Sequence, residues 1–222
     1  MLNRLPADER RAQLVESALS IAERSGLAAV TVRGVADEAG VSLGVVHYCF
    51  DSKDELISAM GDALILQLTN SMNAAFSQVR NATELHGEDG LRELLHMGLS
   101  GMWPIIEATP DRQLLTYEIT AQSLRQRATD SSDRGAAATQ QYRLMTQEAV
   151  DFLGECAGIA GTEWTLPTED LARTAIAVID GLVLRWLVDR DGLATIAGLD
   201  ELVHYLASKA MPAKASPATD DE

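Results

Sequence analysis

Five residues between positions 31 and 53 have the side chains that proteins use to bind phosphate groups. Thr31, Ser42 and Tyr48 carry hydroxyls, and Arg33 and Lys53 carry positive charges. Thr31 and Ser42 stand where helices are predicted to begin, so their hydroxyls and the neighbouring unpaired N–H groups point outward together. Lys53 falls in the first turn of another helix, where a cation is unfavourable unless that end faces an anion. The set predicts contacts to a phosphate backbone, which position a protein without reading sequence.

Two short helices joined by a tight turn are predicted to carry most of these residues. They are expected over 32–39 and 43–49, with Gly40 in the turn. Ala36 is small enough to let the two helices approach closely, and Val46 is placed to anchor the second helix to a core. Two helices in this arrangement have the sequence form of a helix-turn-helix.

This pattern is part of a longer sequence motif that begins with Gly-Val-Ser and ends with Ser-Lys-x-x-Leu. The residues that carry it are Gly40, Val41, Ser42, Gly44, Tyr48, Phe50, Ser52, Lys53 and Leu56. The run resembles the DNA-binding domain of the TetR/AcrR family of transcriptional regulators. The resemblance implies an all-α fold, in which an N-terminal three-helix helix-turn-helix domain is joined through helix four to a larger helical ligand-binding and dimerisation domain.

The second short helix would supply the residues that read bases. Leu43 or Val45 can press on a thymine methyl, Gly44 allows close backbone approach, and His47 can hydrogen-bond a base edge. The family often has Lys, Thr and Tyr where Leu43, Val45 and His47 stand, so its base preferences do not transfer. A further backbone or minor-groove contact is expected from Arg4, Arg10 and Arg11.

Helical periodicity continues through the rest of the chain, and strand signals are almost absent. We expect a helix-turn-helix domain over 1–52, a helical effector-binding and dimerisation domain over 53–211 and a disordered acidic tail over 212–222. Another helix is predicted to begin at Ser52, where Ser52 and Glu55 form a capping box. The remaining helices are predicted at 7–24 and at about 90–107, 111–127, 134–157, 168–191 and 200–210.

Methionine and aromatic residues are concentrated in the middle helices, where they suit an adaptable apolar pocket. The alternative is an ordinary core, which is the more frequent role of methionine and aromatic residues at helical spacing. Glu118 is a candidate polar anchor for a ligand in this pocket. The predicted pocket residues are Met97, Met102, Trp103, Tyr117, Glu118, Met145, Phe152 and Trp164.

The predicted helix over 168–191 is apolar on two sides and must be covered from two directions. One face would pack on its own domain, and the other would form a four-helix interface with a second subunit. A helix central to a monomeric core is the alternative. The predicted interface residues are Leu171, Val178, Gly181, Leu182, Trp186, Leu202 and Leu206.

The composition of the chain limits the classes of function that the protein can have. The chain has 222 residues and a formal net charge of -15, yet residues 1–60 hold six Lys or Arg against nine Asp or Glu, so any basic surface must be local. No membrane span or signal peptide is indicated, and a cytoplasmic protein with two reduced thiols, Cys49 and Cys156, is expected. No catalytic, metal or cofactor motif appears, so we expect neither an enzyme nor a cofactor.

These observations predict a homodimeric, sequence-specific DNA-binding regulator. The family resemblance implies a repressor that leaves a palindromic operator when a small apolar or amphipathic effector binds its C-terminal domain. The alternative is an all-helical dimeric protein-interaction module whose helix-turn-helix no longer binds DNA.

Overall fold

The computed structural model describes residues 5–80, 84–129 and 136–213, and this part of the chain is helical apart from one small sheet. The all-α prediction is therefore confirmed. The helices are α1 (Ala7–Ser25), α2 (Val32–Glu38), α3 (Leu43–Cys49), α4 (Lys53–Arg80), α5 (Gly87–Glu107), α6 (Pro110–Thr129), α7 (Ala136–Ala160), α8 (Thr168–Asp189) and α9 (Gly192–Ala207).

The last helix begins about two turns before the predicted start at residue 200. Asp191 caps it, because its side chain accepts a hydrogen bond from the Ala194 N–H at 3.0 Å. Gly192 and Gly198 gave this stretch the composition of a loop. In the structure Gly198 instead lets α9 approach α8, since a Cβ there would lie 2.4 Å from the Leu182 side chain.

Two short strands form the small sheet, which the sequence analysis did not predict. Strand β1 (Thr162–Trp164) pairs antiparallel with β2 (Ala210–Pro212), with Glu163 opposite Met211. Three residues are too few to show an alternating pattern. Pro212 was assigned to the disordered tail but lies in β2, and residues 214–222 of that tail lie outside the described residues.

The helices group into two compact units, which are described separately. Unit one comprises Met1–Thr69 with Thr109–Leu144, and unit two comprises Asn70–Ala108 with Met145–Glu222. Helix α4 contributes to both. The boundary expected after residue 52, between the DNA-binding domain and the effector-binding domain, divides the chain differently from these two units and stays a prediction.

The core of unit one positions α2 and α3 against α1. Leu14, Leu19, Val35 and Val46 are fully buried in this core, and Ala36 is 2% exposed at the contact between short helices. The core thus holds one side of each short helix, as the apolar spacing predicted.

Arg11 of α1 connects the end of α3 to the beginning of α4. Its guanidinium donates hydrogen bonds to the Cys49 carbonyl and, at 2.9 Å, to the Glu55 carboxylate. It also lies over the Phe50 ring, 4.2 Å from the centroid. Arg11 was expected to contact DNA; its guanidinium binds these three partners in the structure, and a DNA contact stays a prediction.

Glu55 completes the junction between α3 and α4. Its carboxylate accepts the Asp51 N–H at 2.7 Å, while Ser52 Oγ accepts the Glu55 N–H at 3.1 Å. The predicted capping box is therefore present, with Glu55 reaching one residue farther back than expected. The Asp51 hydrogen bond and, less strongly, the Arg11 guanidinium lower the pKa of Glu55.

This lowered pKa predicts a pH-dependent contribution of Glu55 to stability. The stabilisation should be complete above the ordinary value of 4.5 and disappear as the pH falls through the lower value of the folded state. We expect Glu55→Gln to lower the urea midpoint near neutral pH, and the gap to the wild type to close on acidification. Glu201→Gln, at an exposed site on α9, is the control. A pH-independent gap, or an equal effect of both variants, would contradict the assignment.

Candidate functional site

The α2–α3 pair has the helix-turn-helix geometry that its sequence predicts. Gly40 adopts a left-handed conformation with φ +66°, which glycine tolerates without steric cost. The Val41 N–H then donates to the Ala36 carbonyl at 3.0 Å and closes the turn. A side chain at position 40 would strain this backbone, so the glycine is required by conformation rather than by space.

The outer face of α3 is exposed to solvent, opposite the fully buried Val46. Tyr48 is 83% exposed and Leu43 44% exposed, and both are large apolar groups left uncovered at the surface of unit one. Gly44 and His47 are also exposed, whereas Val45, predicted to read bases with them, is half-buried. The turn and the short helix therefore present a mixed apolar and polar surface.

The predicted phosphate contacts lie around this surface. Thr31 accepts the Gly34 N–H at 3.0 Å and caps α2, so its oxygen is engaged while its hydroxyl hydrogen can still be donated. Ser42 stands at the N-cap position of α3 without a side-chain cap bond. Arg33 is exposed and Lys53 is half-buried at the start of α4. All nine predicted DNA-binding residues thus reach the surface, and their roles stay predictions.

Arg10 and Arg11, which were also predicted to contact DNA, bind other groups of the protein in the structure. Arg10 donates to Gln13 within α1, and Arg11 is held by the α3–α4 junction. Arg4 lies outside the described residues. No sequence signal identifies Arg11 as a structural residue, because its partners are 38 and 44 positions away.

Two predicted pocket residues, Tyr117 and Glu118, lie on α6 in unit one. Glu118 was expected to anchor a ligand, but its carboxylate accepts the Leu27 N–H at 3.0 Å. Arg112, which precedes Glu118 on α6, donates hydrogen bonds to Glu23 and Glu16 of α1. Arg112 also donates to Gln67 of α4. These bonds tie α6 to α1, a role that the sequence analysis missed.

The other predicted pocket residues lie in unit two, where several are packed in its interior. Trp103 is 4% exposed and meets the Trp186 ring edge-on at 5.2 Å. Phe152 stacks on Phe76 at 4.0 Å, and Trp164 Nε1 donates to the Leu153 carbonyl at 3.2 Å. Met102 is buried, while Met97 and Met145 are half-buried. Their binding of a ligand stays a prediction.

Four of the predicted dimer-interface residues are buried within the chain itself. Leu171, Trp186, Leu202 and Leu206 are each 1–4% exposed, so the surface expected for a partner is already covered. Leu182 is half-buried near Gly198. The prediction was wrong for the four buried residues because periodicity identifies apolar rows without saying which row the chain covers.

A different row of α8 is exposed to solvent. Val178 and Gly181 belonged to the prediction and are exposed, and Leu184 and Val188, which did not, are 49% and 79% exposed. Because Gly181, Leu184 and Val188 recur at helical spacing, they share one face of the helix.

The described ranges show no candidate metal site. They contain no group of three or more side chains placed to hold a metal ion. Cys49 and Cys156 are free thiols, and burial, with a smaller effect of Glu155, raises the pKa of Cys156 to about 12. None of the helices in the described ranges is long and apolar enough to cross a membrane.

Comparisons with known proteins match this architecture. A family model for bacterial regulatory proteins of the tetR family matches residues 14–60, which include α2, α3 and their turn. The HTH-type nicotine-responsive transcriptional repressor HdnoR of Paenarthrobacter nicotinovorans is 26% identical over 84% of this chain and 88% of that protein. The HTH-type regulator BetI of Brucella canis is 37% identical over 34% of this chain and 38% of its own.

Solved structures share the fold at low sequence identity. A TetR-family regulator from Mesorhizobium loti superposes with a TM-score of 0.72 at 12% identity, covering 93% of this chain and 99% of that one. The multidrug binding protein EbrR, solved with ethidium, gives a TM-score of 0.59 at 20% identity, covering 87% and 98%. The helix-turn-helix and the family model show that residues 14–60 form a DNA-binding domain of the tetR family of bacterial regulatory proteins, and the chain is similar to a transcriptional repressor over most of its length.

Proposed function

We propose that the protein is a homodimeric repressor that binds a palindromic operator and leaves it when a small effector binds its C-terminal domain. The observation that carries the DNA-binding part is the exposed outer face of α3, which is held from behind by a packed core. Tyr48 and Leu43 expose large apolar surface there. Such exposure has a cost in water and favours a partner that covers it.

The DNA contacts divide between positioning and reading. Arg33, Lys53 and the hydroxyls of Thr31 and Tyr48 would bind phosphates on either side of the major groove. Leu43 would contact a thymine methyl, and His47 would hydrogen-bond a base edge or a phosphate. The nine predicted DNA-binding positions include two cations and no carboxylate, whereas the exposed Asp51 and Asp54 lie beside Lys53 in the sequence. Phosphate contacts would therefore depend on Arg33 and Lys53 individually, since the net charge is -15.

The dimer would use the exposed row of α8 rather than the buried row. Gly181 has no atom within 4 Å of an ideal Cβ, which leaves room for a second helix to approach closely. Leu184 and Val188 on the same face would then lose their exposed apolar surface to the partner. A twofold dimer matches the symmetry of a palindromic operator with two half-sites.

Effector binding would change DNA affinity through the connection of α6 to α1. Arg112 and Glu118 of α6 reach Glu23 and Leu27, so a shift of α6 is transmitted to the helix that holds α3 through Arg11. A small change in the separation of the two α3 helices would prevent both half-sites from being occupied at once. The coupling is reciprocal, so operator DNA should weaken effector binding equally.

The experiment that tests DNA binding is a gel-shift selection from random duplex DNA, followed by titrations of the selected duplex at several salt concentrations. We expect an inverted repeat. Lys53→Ala should weaken binding and reduce the salt slope by about 2, one lost phosphate contact for each subunit. Tyr48→Phe should weaken binding with an unchanged slope, because it removes a hydroxyl and no charge.

Arg92→Ala is the matched control, because it removes one cation that is paired with Glu88 and Asp89 on α5 of unit two. It should leave the salt slope unchanged. If no duplex is enriched, or if Lys53→Ala behaves like the control, the DNA-binding proposal is wrong. The protein-interaction module would then be the better description.

Leu184→Lys tests the revised dimer interface. We expect a dimer dissociation constant at least about tenfold higher, because each subunit would bury a charge in place of an apolar side chain. Sedimentation equilibrium measures the change, and Leu166→Lys, at a leucine that is 43% exposed before α8, is the control. Equal dissociation constants for Leu184→Lys and the wild type would exclude this face of α8 from the interface.

A further inference from the structure

Helix α6 of unit one is bound by its own chain on three sides. Toward α1, Glu118 accepts a backbone N–H from the segment that follows that helix, at 3.0 Å. Toward α4, Gln126 Nε2 donates to Asp54 Oδ1 at 3.1 Å. Toward α7, Thr120 Oγ1 donates to Gln141 Oε1 at 3.2 Å. These contacts fix the rotation of α6 and leave its fourth side facing outward.

The outward side of α6 carries an apolar row, which we call the α6 row. Its members are Leu114, Tyr117, Ala121 and Leu124, at successive spacings of three, four and three residues, so they share one face of the helix. Leu114 and Leu124 are 48% and 52% exposed, Ala121 is exposed and Tyr117 is half-buried. A helix at a protein surface normally turns polar residues outward. A row of apolar residues in that place favours a partner that covers it.

The spacing of the α6 row suits another helix, because apolar residues three and four apart form the seam of two packed helices. A second copy of α6 running antiparallel would place Leu114 opposite Leu124 and Tyr117 opposite Ala121. The same pairs would then recur on the other side of a twofold axis, as a self-complementary interface requires. A parallel copy would instead place tyrosine against tyrosine and alanine against alanine, which overfills one layer and leaves the next one empty.

Charge on one flank of the α6 row favours the same direction. Asp111 and Arg125 are exposed and lie 14 residues apart, which is close to four helical turns, so they share this flank. An antiparallel copy would bring Asp111 of one chain toward Arg125 of the other, whereas a parallel copy would bring like charges together. Exposed pairs of this kind add little affinity. They bias the direction of packing without either side chain giving up its contacts within its own chain.

We infer that the α6 row is a contact surface for a second copy of this chain, with the two α6 helices packed antiparallel about a twofold axis. The contact removes the exposed parts of Leu114 and Leu124 from water in both copies. It lies in unit one and is additional to the α8 face proposed above. It rests neither on DNA binding nor on an effector.

Leu124→Lys tests whether the α6 row mediates self-association. The lysine would place a charge in the seam, so sedimentation equilibrium should show self-association at least tenfold weaker than in the wild type. Leu66→Lys is the matched control, because it makes the same change at a leucine of α4 in unit one that is 62% exposed and outside the row. It should stay within about twofold of the wild type. Equal effects of the two variants, or a wild-type chain that does not associate, would overturn the inference.

Disulfide trapping tests the direction of packing. Leu114→Cys and Leu124→Cys are made separately in a Cys49→Ser chain, where the remaining Cys156 is fully buried. With oxidised glutathione, a mixture of the two variants should give a covalent pair containing one chain of each. Each variant alone should not pair, because two copies of position 114 would lie about 15 Å apart along the helices, ten residues at 1.5 Å each.

Ser58→Cys, at an exposed residue of α4, is the control and should pair with neither variant. Pairing of each variant with itself would show parallel packing and overturn the antiparallel arrangement, and no pairing in the mixture would overturn the contact. The mixture is then repeated with Leu184→Lys in both chains. The covalent pair should still form, because that change is in unit two, and its loss would show that the α6 row is not a contact surface in its own right.

Discussion

The orientation of α3 depends on the packed core behind it and on three simultaneous interactions of Arg11. A helix of seven residues makes too few internal hydrogen bonds to be stable alone, so its direction must be imposed from outside. Arg11 binds the Cys49 carbonyl at the end of α3, stacks on the Phe50 ring and pairs with Glu55 at the start of α4. The guanidinium suits this task because its planar donors can serve several acceptors at once. The outer face of α3 is thus oriented from α1.

A strongly acidic chain can bind DNA only where its few basic residues are placed locally. The nine predicted DNA-binding positions around α3 hold Arg33 and Lys53 and no carboxylate. A net charge of -15 would repel DNA if it were spread evenly over every surface. The two cations at the proposed contact positions would offset that repulsion locally.

Sequence reasoning succeeded where structure is decided by neighbouring residues. The bounds of α3 and the turn at Gly40 were predicted as observed, since capping and turn preferences act within a few positions. Sequence reasoning failed where contacts between residues far apart in the chain decide the structure. The spacing of Leu171 and Trp186 indicates an apolar row, but only the fold shows that the chain itself buries it. Likewise, nothing near Arg11 in the sequence indicates partners that lie 38 and 44 positions away.

The central claim is that the exposed side chains of α3 read DNA, and removal of single thymine methyls from the selected operator tests it most directly. Each dT is replaced in turn by deoxyuridine, and affinity is measured for the wild type and for Leu43→Ala. The account predicts a symmetric pair of positions at which the wild type loses roughly fourfold in affinity, as expected for one buried methyl worth about 0.8 kcal/mol, while Leu43→Ala is insensitive there. If no methyl matters, or if Leu43→Ala responds as the wild type does, Leu43 does not read thymine and the proposed role of the outer face of α3 is contradicted.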